Sequence, residues 1–533
     1  MRKKRFGRTT SRWKPYDLRG TFLAPFSRRA GRHVGDHIDA LLYTTFREPH
    51  QHREYTMTDN RCVRSGGYFI PINSPVFQDI KQRYKCKNPA FVQAHALHAK
   101  GKYVAIPDEH VYACHTIPLW HQWGGGLMIP RGIKIHEYGL IHINKTSFPP
   151  LRTGDERLQF DGDIKLRDYQ AEGVDALVEH GEGVIVAPCG AGKTMMGIGA
   201  MLRYRTRTVI LVHTTDLAEQ WRSRIEAQVK TATGRVPKVT MYGGNKKDDS
   251  GQIVIATFQT LYKIRFDDLL EFGKQFGVCI VDEAHHVPAA TFSAVMMGMP
   301  AAVRLALTAT PDRPDGLSDI LYWHFGATLK KITTPDLIKN GSVLAPTVRF
   351  TPTYWKPKNK KDWMKMINEM CADDRRNGQI LDLVETMVNK GRQVLVLSDR
   401  VQHCIDMAEA TANRDISSAT LVGKMTKKQR AEVLELSDNR DIKALFATTV
   451  ADEGLDLPGL DTLILTTPTK SMGRIQQRIG RIMRKHEDKK HPIVIDLVDA
   501  PASLYAMHNK RSRFYDGLGC NVKTIAEVEG NDM

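Results

Sequence analysis

Eight consecutive residues, Ala187-Pro188-Cys189-Gly190-Ala191-Gly192-Lys193-Thr194, carry the plainest chemistry in the chain. Glycines at 190 and 192 let backbone N–H groups close around a phosphate. The apolar run before them and the helix-forming stretch after them put that phosphate at a helix amino end. Lys193 supplies a point charge for β- and γ-phosphates, and Thr194 a hydroxyl for Mg2+. The first position is alanine where the usual pattern has glycine. Downstream, Val281-Asp282-Glu283-Ala284-His285 closes a second apolar run. Asp282 is expected to hold Mg2+, directly or through water, and Glu283 to orient and polarise an attacking water. Alone, an acidic pair there would be a turn or a helix cap; after a phosphate loop it reads as the hydrolytic half of the same site. A third stretch runs from Gln477 through Arg478, Ile479, Gly480, Arg481, Ile482 and Met483 to Arg484. Arg481 and Arg484 are spaced to share one helix face, and guanidinium donors suit the spreading charge of a transferring γ-phosphate.

Such groups need stiff elements behind them. Short apolar runs (183–187, 209–212, 253–256, 278–281 and 305–307) alternate with helix-length segments. Continuous apolar runs mean strands covered on both faces, as in a parallel sheet. The texture returns at 394–397, 445–447, 463–465 and 493–496. The expected fold is α/β: two tandem parallel-sheet domains, preceded by a small α+β domain and a basic arm. The expected bounds are 1–45 for the arm, 46–155 for the amino-terminal domain, 156–340 and 341–520 for the two sheets, and 521–533 for a tail. Within 46–155, Gly67-Tyr68-Phe69-Ile70 and Lys102-Tyr103-Val104-Ala105-Ile106 read as strands. Trp120-His121-Gln122-Trp123, beside three glycines, reads either as a local core or as a loop that stacks on a base.

Of the 533 residues, 41% are hydrophobic and 26% charged, which excludes a chain disordered throughout. No run approaches the roughly 18 apolar residues of a membrane helix. Lys plus Arg number 77 against 59 Asp plus Glu, a net +18 that points to a polyanionic partner, nucleic acid first. Eleven basic residues against Asp17 alone fill positions 1–32, suiting a phosphate-binding arm or a targeting signal. The eight cysteines form no C-x-x-C pair, which favours a reducing compartment. Cys62, Cys86, Cys114 and His115 lack paired zinc-ligand spacing and read as ordinary side chains.

Taken together, the ordered motifs resemble those of the superfamily-two helicases and translocases from about residue 164 to 510. Leu166-Arg167-Asp168-Tyr169-Gln170 is similar to their adenine-reading element, and the 212–221 stretch from Val212 to Trp221 to motif Ia. Ala256-Thr257-Phe258-Gln259-Thr260-Leu261 resembles a strand-contact element, and the 307–313 stretch opening Leu307-Thr308-Ala309-Thr310 resembles motif III. Leu397-Ser398-Asp399-Arg400, the 447–456 stretch and 477–484 resemble motifs IV, V and VI. Asp282-Glu283-Ala284-His285-His286-Val287-Pro288, the 311–316 segment, 373–377 and Met128-Ile129-Pro130-Arg131-Gly132 look most like the XPB group, which includes phage helicases of the UvsW type. The Arg-Glu-Asp triplet associated with XPB does not occur, and His213 stands where many relatives carry proline.

The resemblance implies an ATP- and Mg2+-dependent DNA helicase acting on forked or branched DNA. Alternatives are the motor of a restriction or defence complex, an RNA helicase, or, least in keeping with an intact hydrolytic set, a non-hydrolysing clamp. It implies catalytic roles for Lys193, Asp282, Glu283, Arg481 and Arg484. Nucleotide contacts would come from Arg167, Gln170, Gly190, Ala191, Gly192, Lys193, Thr194, Gly454 and Asp456, and metal contacts from Thr194 and Asp282. Coupling would fall to His285, Thr308, Thr310 and Gln477, and nucleic-acid contacts to Thr214, Thr257, Gln259, Arg400 and Thr448. The expected partner is forked, branched or single-stranded DNA, with RNA open and no membrane. The expected place is bacterial or phage-infected cytoplasm, with mitochondrial matrix or nucleus as alternatives.

Overall fold

The computed structural model describes residues 61–99, 103–117, 125–244, 246–283, 289–311, 317–358, 362–448, 457–469, 471–487, 489–500 and 502–523. The basic arm, the Trp120–Trp123 stretch, His285, Gly454 and Asp456 lie outside them. The chain divides into two compact units, residues 1–130 with 134–144, and residues 131–133 with 145–533.

The larger unit holds both parallel sheets. The first has eight strands in the spatial order Lys246–Lys247, Val239–Gly243, Ile253–Thr257, Thr208–Val212, Val278–Asp282, Val303–Thr308, Glu182–Val186, Thr328–Lys331. All pairings but that of the short Lys246–Lys247 edge are parallel. The apolar runs read from the sequence fall on these strands, and helices cover both faces. Their order matters for function: the strand leading to Asp282 and the strand leading to the phosphate loop flank the Val303–Thr308 strand. Three neighbouring strand ends therefore open on one edge, where such sheets place ligands.

The second sheet has seven strands, all parallel, in the order Ser418–Leu421, Ala444–Ala447, Val394–Leu397, Thr462–Leu465, Ile493–Val498, Thr347–Pro352, Asn521–Lys523. The two sheets are tandem RecA-like domains. Residues 521–523, expected as tail, form the last strand, fastened by Asn521 N–H donating to Pro346 O at 2.9 Å. Residues 145–155, expected in the amino-terminal domain, pack on the first sheet: Ser147 pairs its backbone with Pro300 and Ala302, and Thr206 donates to Pro149 O. Arg131, from the Met128–Gly132 motif, is buried in this unit, donating to Ala301 O at 2.6 Å and paired with Glu182 at 3.0 Å.

In the smaller unit, strands His115–Ile117, Gly126–Ile129, Tyr68–Pro71, Arg61–Arg64 and Ile141–Asn144 make a sheet in that order, with helices Phe77–Arg83 and Pro89–His98. Tyr68–Pro71 is the expected strand; the 102–106 run is not one. Over its described part, from Tyr103, the run joins no ladder. Val104 is bonded to the His98 ring instead, its O at 2.6 Å and its N–H at 3.2 Å from Nε2. Cys62 and Cys114 are buried thiols, and no cluster of metal-ligating side chains occurs among the described residues.

One buried ion pair ties the second domain together. Arg376 Nε lies 2.8 Å from Asp499 Oδ1, and the same guanidinium donates to Thr466 O at 2.6 Å. Arg376 NH2 also donates to Asp499 Oδ2 at 3.2 Å, and the Thr353 hydroxyl adds a third hydrogen bond to that carboxylate. Asp499→Ala leaves the guanidinium buried and uncompensated, a change that costs about 3–5 kcal/mol in comparable sites. We expect urea unfolding of the second domain to shift by that amount; a change within 0.5 kcal/mol, the usual range of a neutral surface substitution, would show the pair to be dispensable.

Candidate active site

The phosphate loop leaves the buried Glu182–Val186 strand, with Ala187 N–H donating to Thr308 O at 2.9 Å, and runs into the helix Lys193–Arg203. Gly192 caps that helix at φ 77°. A Cβ there would meet the Gln170 amide nitrogen at 2.4 Å, so both its conformation and its neighbour require glycine. The reason for the neighbour is a latch. Gln170 Nε2 donates to Ala191 O at 2.9 Å and its Oε1 accepts from Arg167 N–H at 2.9 Å, capping the helix Asp168–His180. The Tyr169 hydroxyl donates to the same Ala191 carbonyl at 3.1 Å, and exposed Arg167 donates to Tyr169 at 3.1 Å. The expected adenine reader thus has both ends of its amide engaged by the chain itself.

Lys193 reaches across the sheet edge. Its Nζ sits 2.9 Å from Glu283 Oε1 and donates to Ala187 O at 3.3 Å. Burial opposes the ammonium charge, but Glu283, Cys189 and Asp282 outweigh it and hold the pKa above the usual lysine range. Glu283 leaves its strand in the left-handed region at φ 49°, and its N–H donates to Leu307 O at 3.0 Å. For a glutamate that backbone is uncommon and costs of order 1–3 kcal/mol. It turns the carboxylate off the strand axis to where Lys193 is.

Asp282 ends its strand fully inside. Burial first, and Glu283 second, push its carboxyl up to about 6. One oxygen accepts from Trp221 Nε1 at 2.8 Å, while the other is buried and accepts no hydrogen bond among the described residues. That oxygen fits a divalent cation or a cation-bound water, and the indole is the outer partner that orients such a ligand. Thr194, half-buried as the second residue of its helix, is the other expected ligand. Trp221 lies within the motif Ia stretch, yet its bond to a residue 61 positions away has no local sequence signal.

The second domain meets this loop directly. The helix Met472–Ile482 carries buried Gln477, Arg478 and Arg481. A Cβ on Gly480 would lie 2.4 Å from Cys189 Cβ, so this helix rests on the phosphate loop at a distance only a hydrogen atom allows. Arg481 is the next residue. Arg484 is not on that helix: Met483 caps the end, and Arg484 forms an isolated antiparallel bridge with Val343. The shared helix face expected for the two arginines is therefore replaced by a helix end and an adjoining bridge. Arg478 pairs with Asp399 at 3.5 Å inside its own domain.

Thr308 Oγ1 donates to Thr310 O at 3.1 Å, closing the motif III turn, and a Cβ on Gly473 would touch Thr310 at 3.4 Å. Among the expected strand contacts, Thr214 caps the helix Thr215–Gln228 and Gln259 Nε2 donates to His213 O at 2.8 Å. Thr257 and Thr448 are buried, Thr257 donating to Thr260 at 2.9 Å, so they offer a passing strand little surface. Arg400 is half-buried, its Nε donating to Asn368 at 2.8 Å. An unforeseen link joins the domains at their rim: Arg430 NH1 lies 3.1 Å from Asp216 Oδ2.

The putative ATP-dependent RNA helicase L396 of Acanthamoeba polyphaga mimivirus is 30% identical over 420 residues, covering 76% of this chain and 77% of that protein. The chain belongs to the superfamily-two helicases, in their XPB-like group. A profile described as Type III restriction enzyme, res subunit, matches residues 163–313 of the helicase, and one described as helicase conserved C-terminal domain matches 377–486. The DNA 3'-5' translocase XPB2 of Sulfurisphaera tokodaii is 27% identical over 384 residues, covering 65% of the helicase and 84% of that protein. The crystal structure of T4 UvsW aligns over 87% of the helicase and 98% of its own chain, with 17% identity and a TM-score of 0.37. The helicase is an ATP-dependent enzyme, and no described helix is long and apolar enough to cross a membrane.

Trp221→Phe keeps the ring and deletes the N–H that holds Asp282. By the usual effect of losing an outer partner, we expect roughly a 10–100-fold loss in Mg2+ affinity or ATPase rate. A Mg2+ titration of ATP hydrolysis that superimposes on wild type would show that the indole does not orient the carboxylate.

Proposed function

We propose that this helicase uses ATP and Mg2+ to move along DNA and to remodel forked or branched DNA, by unwinding, branch migration or fork regression. The observation that carries the motor reading is the seating of the Met472–Ile482 helix on the phosphate loop at Gly480 and Cys189. In this reading Lys193 and the loop glycines hold the phosphates, Thr194 and Asp282 hold Mg2+, and Glu283 polarises the attacking water. For Glu283 to act it leaves Lys193, whose charge passes to the nucleotide. Arg481 and Arg484, with Gly454 and Asp456, complete the site from the second domain as it closes. Thr308, Thr310, His285 and Gln477 relay that closure to the nucleic-acid grip, where Thr214, Gln259 and Arg400 track a backbone. The net charge of +18 supports a polyanionic track, and the separate amino-terminal unit supports a substrate-selecting module. Cytoplasm of a bacterium or of an infected cell is the proposed setting. RNA is the second reading, favoured by the name of the mimivirus relative.

Glu283→Gln should cut ATP hydrolysis by roughly 10²–10⁴-fold, the usual worth of a general base, while the circular dichroism spectrum at 25 °C stays as in wild type. A variant hydrolysing near the wild-type rate removes Glu283 from catalysis.

ATPase activity measured with single-stranded DNA, duplex, forked DNA and RNA separates the substrate readings. Forked DNA is expected to stimulate most, and deletion of residues 1–130, which leaves Arg131 in the helicase unit, to erase that preference over duplex. Stimulation by RNA alone refutes the DNA assignment.

A further inference from the structure

Between the Thr347–Pro352 strand and the helix Asp374–Asn389, the chain makes an excursion that no motif above accounts for. Residues 353–358 join no ladder, yet they alternate in burial: Thr353, Trp355 and Pro357 inward, Tyr354, Lys356 and Lys358 outward. The inward residues fix the segment. Trp355 packs with Met366, Ile367, Met370, Leu504 and Met507, and Thr353 is tied to Asp499, itself held by Arg376. Lys358 N–H donates to Glu369 Oε2 at 3.0 Å, which lays the segment along the helix Trp363–Cys371.

Against this backing, Tyr354, Lys356 and Lys358 face outward. Tyr354 is 64% exposed and sits at φ 55°, a left-handed conformation that a bulky residue rarely adopts. Strain of that kind gathers at binding sites. The first turn of the adjoining helix is also exposed, with Trp363 at 38% and Met364 at 58%. Asp362 caps that helix, its Oδ1 accepting from the N–H groups of Met364 and Lys365. The motif IV arginine reaches this first turn, Arg400 NH2 lying 3.5 Å from Met364 Sδ.

We propose that Tyr354, Trp363 and Met364, set among Lys356, Lys365 and Arg400, form a stacking platform for a single strand of nucleic acid on the second domain. The argument is chemical. Exposed rings interleaved with exposed cations match a ligand whose bases stack and whose backbone is anionic, and stacking is sequence-tolerant because every base presents a π-face. A purely apolar partner would leave the lysines unmatched, and a duplex would present no base faces to the rings. The platform would give the second domain a grip of its own beside Arg400, separate from the nucleotide cleft. This rests on the motor reading for its nucleic-acid track, but it is tested without it.

The full-length protein is irradiated with an oligothymidylate carrying 5-iodouracil, and the cross-linked peptides are sequenced. Cross-links at Tyr354 or Trp363 are expected; cross-links confined to other segments overturn the platform. Tyr354→Gly, which also relieves the backbone strain, combined with Trp363→Ala, should raise the oligothymidylate concentration for half-maximal binding by about tenfold or more, the worth of a stacked base. Trp363→Phe, which keeps a ring, should restore most of that loss. Lys356→Ala should lower the slope of log affinity against log salt by about 0.7, one phosphate of a single strand. Binding curves of the double variant that superimpose on wild type overturn the inference. ATPase unresponsive to any nucleic acid, with cross-links still at Tyr354, would instead sink the motor reading and leave the platform standing.

Discussion

Two adjacent carboxylates, Asp282 and Glu283, are brought off one strand into a nearly dry edge, and a single ammonium makes that arrangement tolerable. Buried like charges raise each other's cost, as the upward push on Asp282 records. Lys193 at 2.9 Å from Glu283 offsets it. Each further feature of the site follows from holding these three groups in register. The left-handed backbone at Glu283 aims one carboxylate, the Trp221 indole pins the other, and the Gln170 latch fixes the loop from which Lys193 emerges. In the proposed reading, nucleotide phosphates bearing Mg2+ would enter this balance as competing anion and cation together.

Sheet order does the remaining positioning. Because the Val303–Thr308 strand lies between the two site-bearing strands, the Thr308-Ala309-Thr310 turn sits in the middle of the edge. It touches the phosphate loop through Ala187 and the second domain through Gly473. A change at either flank is therefore mechanically adjacent to the other. The coupling expected of this turn has a short physical route, one residue thick on each side.

Much of this was legible from residue order because its signals are local. Unbroken Val/Ile/Leu runs mark strands covered on both faces, and the Gly-Ala-Gly-Lys turn needs nothing beyond its own eight residues. What escaped depends on partners far along the chain. The helix carrying Arg481 ends before Arg484 because the chain leaves to pair with Val343, more than a hundred residues earlier. The Tyr103–Ile106 run has strand-forming residues, but the His98 ring takes the backbone of Val104. Trp221, Arg430 and the anchoring of residues 145–155 are likewise long-range facts. The burial of Thr257 is likewise invisible in its motif.

The bridge between Arg430 and Asp216 is solvent-washed at the rim, with 25% and 46% of the two side chains exposed. Pairs of that kind are worth about 0–1 kcal/mol and fade as counterions crowd in. A clasp so weak can bias the lobes toward meeting without trapping them, much as a magnetic catch keeps a door shut yet yields to a push. In the proposed motor, a sturdier fastening at that spot would oppose the parting of the lobes.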